Sequence, residues 1–117
     1  PSLRQPAMDL TWVGDTLVAL TPDRLQWRDP VTGAWTLGPL LSAELGRLHR
    51  IIADERGVWA AGDRGVGFAT LTIPPARVLL VGRDLPAEPT DLAVDEQFLW
   101  VATARGLVRW RLDAVRP

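Results

Sequence analysis

A block of sequence occurs twice, at the same spacing and without a gap. ADERGVWAAGDRGV at 53–66 is answered by VDEQFLWVATARGL at 94–107. Asp54 and Asp95, Glu55 and Glu96, Trp59 and Trp100, and Gly65 and Gly106 each stand 41 positions apart. Stepping back by the same interval reaches a more diverged first copy, in which Leu10, Ile51 and Leu92 align, as do Leu25, Val66 and Leu107. A fixed period of this length marks a chain built from stacked supersecondary units, each needing its neighbours to cover an apolar face.

The units read as short strands joined by tight turns. In the third, TDLAVD (90–95) alternates, FLWVAT (98–103) is aromatic and β-branched, and LVRWRL (107–112) alternates again. The second gives HRIIAD (49–54), GVWAA (57–61), VGFATLT (66–72) and ARVLLVG (76–82); the first gives MDLTWV (8–13), TLVALT (16–21), RLQWRD (24–29) and AWTLG (34–38). Ten Gly, ten Pro and segments of about six residues argue against long helices. One helical turn or two is expected in LLSAELGRLH (40–49), with Ser42 as cap and Leu41, Leu45 and Leu48 on one face. The expectation is an all-β chain forming one repeat domain. Its four-stranded antiparallel units span approximately 8–48, 49–89 and 90–117, the last lacking its fourth strand.

Composition narrows the function. Thirteen basic and 14 acidic residues give a net charge of −1, which offers no electrostatic grip on nucleic acid or an anionic membrane surface. No apolar run approaches the length of a membrane helix. All 13 basic residues are Arg, and Cys is absent, which rules out disulfides and thiolate metal sites. The chain starts at Pro1 without a charged, then apolar, leader, and is expected to be processed or part of something longer.

The repeats resemble β-propeller blades. IIADERGVWAAGDRGVGFATL and LAVDEQFLWVATARGLVRWRL are similar to the propeller repeat of bacterial two-component sensor proteins. LVALTPDRLQWRDPVTGAW, with Asp29, Thr32, Gly33 and Trp35, is closer to the pyrroloquinoline-quinone type of blade. The resemblance spans nearly the whole chain and implies a binding platform; it carries over no catalytic residue, cofactor or metal. Three units do not close a ring, since propellers carry 4–8 blades. The arc is therefore expected to be completed by self-association, a protein partner or further chain, because open strand edges and apolar faces invite pairing.

Candidate chemistry is sparse. Asp54-Glu55 and Asp95-Glu96 recur at one turn and are expected to cap backbone amides. His49 is the single histidine, and neither Ser2 nor Ser42 sits in a nucleophile elbow. GDRGVG (62–67) is read as a hairpin turn, because no helix follows it to bind phosphate. Arg64 and Arg105, with Asp23 at the equivalent place, occupy hairpin tips and are candidate partner-facing residues. Asp9, Arg50 and Asp91 align on the three first strands and are candidates for lining a central funnel. The favoured function is a non-catalytic interaction or scaffold module. The alternatives are a ligand-binding sensor or enzyme propeller fragment with its site in the funnel, and a small bracing subunit of a larger complex.

Overall fold

In a computed structural model, which describes residues 3–116, the chain forms eleven strands and two single-turn helices. The strands are β1 (Asp9–Val13), β2 (Thr16–Leu20), β3 (Arg24–Arg28) and β4 (Trp35–Leu40); α1 (Ser42–Leu45) follows. Next come β5 (Leu48–Ala53), β6 (Val58–Gly62), β7 (Gly65–Ala69) and β8 (Val78–Leu80). The chain ends with β9 (Pro89–Val94), β10 (Phe98–Thr103), β11 (Gly106–Arg111) and α2 (Leu112–Val115). Every strand falls where alternation and turn residues place one, and the all-β expectation holds. The strands pair antiparallel in sequence order into three separate sheets, β1 to β4, β5 to β8 and β9 to β11. Among the described residues the third sheet has three strands. No strand forms within 3–8, where Gln5 accepts a hydrogen bond from Gln26.

The sheets lie side by side, with the first strand of each next to the first strand of its neighbour, β1 beside β5 and β5 beside β9. The middle sheet is therefore covered on both faces, and all five residues of β6 and of β7 are buried. Strand alternation divides its side chains between two cores. Val58, Ala60 and Ala69 pack towards the first sheet against Val18, Leu20, Leu25 and Trp27. Trp59, Ala61, Val66 and Phe68 pack towards the third against Leu92, Leu99 and Val101. The repeated tryptophan thus anchors the second core, with its ring 4.9 Å from that of Phe68.

The two helical turns plug the two inter-sheet wedges at opposite ends. α1 seals the first wedge beside the β6–β7 turn, where a Cβ on Gly62 would overlap the Leu45 carbonyl. Leu41, Leu45 and Leu48 are buried as expected, but the turn is capped differently. Leu41, not Ser42, is the N-cap, with no side-chain hydrogen bond, and Gly46 ends the helix at φ 77°. Leu48 already belongs to β5, so the helix is one turn long. α2 was not foreshadowed by any pattern in the sequence. It lies beside the β5–β6 turn and drives Leu112 and Val115 into the second core. Arg77 donates to the Ala114 carbonyl at 2.9 Å, and Arg116 pairs with Asp54 and lies over the Phe68 ring.

Truncating the buried anchor should cost far more than truncating an exposed tryptophan. Trp59→Ala is expected to destabilise by about 3–5 kcal/mol, whereas Trp12→Ala, 62% exposed, should stay within about 0.5 kcal/mol. Urea unfolding followed by circular dichroism measures both.

Candidate functional site

Three residues from three sheets meet where the first strands run side by side. Asp9 Oδ2 accepts a hydrogen bond from the Ile51 backbone N–H at 2.9 Å and lies 4.0 Å from Arg50 Nε. Arg50 Nη2 donates to Asp91 Oδ1 at 2.9 Å. The three candidate funnel residues are thus brought together as a ladder of alternating charge, one rung per sheet. Both ends of the ladder are acidic. The side chains are between a quarter and just over half exposed, so the two ion pairs act in a high dielectric and add little stability. Their effect is positional: Asp9 ties the first sheet to the backbone of the second, and Arg50 reaches the third.

The candidate hairpin-tip residues do not form one site. Arg64 turns back onto the fold and donates to the Ser42 and Ala43 carbonyls at 3.2 and 2.8 Å, satisfying groups at α1. The Asp23 carbonyl accepts from Leu41 and Ser42, and its carboxylate accepts from the Thr21 hydroxyl at 3.0 Å. Arg105 is exposed on a turn held by the Thr103 hydroxyl. His49 Nε2 lies 3.9 Å from Asp63 Oδ1 at the edge of the middle sheet.

The repeated carboxylates build turns, and their geometry explains the spacing to the tryptophan. Asp95 Oδ1 accepts the Gln97 and Phe98 amides, both at 2.8 Å, while Oδ2 accepts the Trp100 indole N–H at 3.0 Å. Asp54 repeats this with the Arg56 and Gly57 amides and the Trp59 indole, at 2.8, 3.0 and 3.2 Å. Sequence reasoning identified the amide cap but missed the indole bond, although the constant interval of five residues signals it. Glu55 and Glu96 are exposed beside these turns. Asp29 caps the turn at Val31 and Thr32 in the same manner.

Among the described residues, two sheet faces have no further sheet against them, although on the first of these Gln5 covers Gln26, and Ala19 and Gln26 are buried. On the outer face of the first sheet, Leu10, Ala19, Gln26 and Leu37 form one cross-strand row, and Trp12, Leu17, Arg28 and Trp35 form the next. Leu10 is 57% exposed, and Trp12 and Leu37 are each 62% exposed. On the outer face of the third sheet, Ala93, Trp100 and Arg109 form one row and Asp91, Ala102 and Leu107 another. Arg109 stacks over Phe98 and Trp100, and Leu107 is 65% exposed.

No protein-family model matches the chain, and no curated protein matches it. Among solved structures, the computationally designed Ika4 protein is similar, with a TM-score of 0.57 and 10% sequence identity over 94% of this chain and 93% of that one. At that identity the likeness concerns the fold alone.

The capping carboxylates should dominate acid stability. The Trp100 indole and the Gln97 and Phe98 amides hold Asp95 below its ordinary pKa. The Thr32 and Val31 amides do the same for Asp29, and the Leu80 amide, with Arg83, does so for Asp84. A lowered folded-state pKa contributes stability that is complete above the unfolded value and is lost as pH falls through the folded one. Stability is therefore expected to fall below about pH 4. Combining Asp29→Asn, Asp84→Asn and Asp95→Asn should flatten that fall; an unchanged acid limb in urea titrations at pH 2–5 would contradict it.

Proposed function

We propose that the chain is a non-catalytic protein-interaction module: three β-propeller-like blades whose two outer faces are completed by protein, from a partner or from a second copy. The observation that carries the reading is the contrast between the sheets. The middle one is buried on both faces, while the outer faces of the first and third keep Leu10, Trp12, Leu37 and Leu107 more than half exposed. Apolar rows on a flat sheet are what a further sheet of the same kind would cover. The side-by-side placement of β1, β5 and β9 and the 41-residue register support the resemblance to propeller blades.

The charge ladder adds a preference. Both of its ends are acidic, so the neighbour that fits best presents a basic residue on its own first strand. A second copy joined head to tail would set its Asp9 beside Asp91. Two carboxylates at that range oppose association by about 1 kcal/mol in water, and salt screens the effect.

The test is the mass of the chain in solution as a function of concentration and salt. The expected result is reversible association above 12.9 kDa that strengthens with ionic strength. Asp91→Asn should tighten it by about two- to fivefold, and Leu37→Glu should reduce it to monomer. A chain that stays monomeric at millimolar concentration in high salt, with both faces intact, would refute completion by a second copy and leave a partner protein as the cover.

A further inference from the structure

The two inter-sheet wedges are equivalent in register, but only one is filled at the end where α2 lies. Between the middle and third sheets, Leu112 and Val115 occupy that end, 5% and 3% exposed. Between the first and middle sheets the same end is a cleft of about 350 Å³. Its lining includes Val13, Val18, Trp27, Val58, Ala69 and Leu71. Advancing Val18, Trp27 and Val58 by one period gives Trp59, Phe68 and Leu99, members of the core that receives α2, and advancing Leu71 gives Leu112, the first residue of α2 itself. Advancing Val13 gives Asp54, the partner of Arg116 just beyond α2.

The reason the cleft stays open is written at the counterpart of α2. Leu71 stands where Leu112 does, yet it is followed by Thr72, Ile73, Pro74 and Pro75. Two successive prolines disfavour α conformation at Ile73 and Pro74 and so oppose the helical turn that Leu112–Val115 makes. Leu71 and Ile73 are left 50% and 57% exposed at the end of the middle sheet. Arg56, on the β5–β6 turn, is the one charged residue among those lining the cleft.

We propose that this cleft is a docking site for a helical turn of a protein partner, carrying two aliphatic side chains three positions apart. The fold itself specifies the occupant. In the equivalent wedge it seats a turn of this pattern, Leu112-Asp113-Ala114-Val115, against homologous positions. The cleft lies between the first and middle sheets, apart from their outer faces, so it binds whether or not those faces are covered.

The test uses the whole chain with labelled Val and Leu methyls and a synthetic, helix-stabilised peptide carrying Leu-Asp-Ala-Val in an alanine-rich host. The expected result is saturable shifts at Val13, Val18, Val58 and Leu71. Replacing the peptide's Leu and Val by Ala should weaken binding by about tenfold or more. Leu71→Glu, at the exposed rim, should abolish the shifts without altering the fold. Ala69→Leu, which fills the cleft from within, should do the same. Absence of shifts, equal binding by the all-alanine peptide, or undiminished binding by the folded Leu71→Glu chain would overturn the site. Shifts confined to Leu10, Leu37 and Leu107 would overturn it too, placing the peptide on the outer faces instead.

Discussion

Burial of the middle sheet on both faces is the constraint on which the rest of the structure depends. A strand directs alternate side chains to opposite faces, so β6 and β7 supply one core with Val58, Ala60 and Ala69 and the other with Trp59, Ala61, Val66 and Phe68. Neither core exists without that sheet. Small residues make this possible: Gly62 lets α1 approach closely and Gly67 admits Pro75, while Trp59 and Phe68 fill the second core. The first and third sheets each gain one covered face from it and keep one open, which is the basis of the interaction reading.

Around that centre, local devices fix how the sheets meet. The Asp54 and Asp95 turns each bind two backbone amides and the indole of the following strand's tryptophan, so one carboxylate sets both the turn and the ring. The Asp9–Arg50–Asp91 ladder aligns the first strands. α1 and α2 close one wedge each, from opposite ends. The proline pair after Leu71 removes the turn that would close the first wedge at the second end, and the cleft follows from that removal.

Most of this architecture is legible in the sequence because strand alternation and turn chemistry are local signals. All eleven strands are placed by them, and the exact 41-residue register aligns Asp9, Arg50 and Asp91 on the three first strands. What was not legible depends on contacts between distant segments. Leu112–Val115 is too short for a helical period to show, and it is helical because the second core accepts Leu112 and Val115. Arg64 resembles a free hairpin arginine in sequence, and only the position of α1 shows that its guanidinium is occupied by carbonyls. The cleft is equally hidden. It appears only when Leu71 is compared with Leu112 in a register that the filled wedge has given a meaning.

Amide hydrogen exchange of the isolated chain, resolved strand by strand, tests the central claim most directly. Amides in a sheet covered on both faces open only with global unfolding, whereas those of half-covered sheets open locally. The account predicts the slowest exchange in β6 and β7, with faster exchange in β1 to β4 and in β9 to β11. Equal protection across all three sheets, or a maximum in the first or third, would contradict a fold organised around its middle sheet.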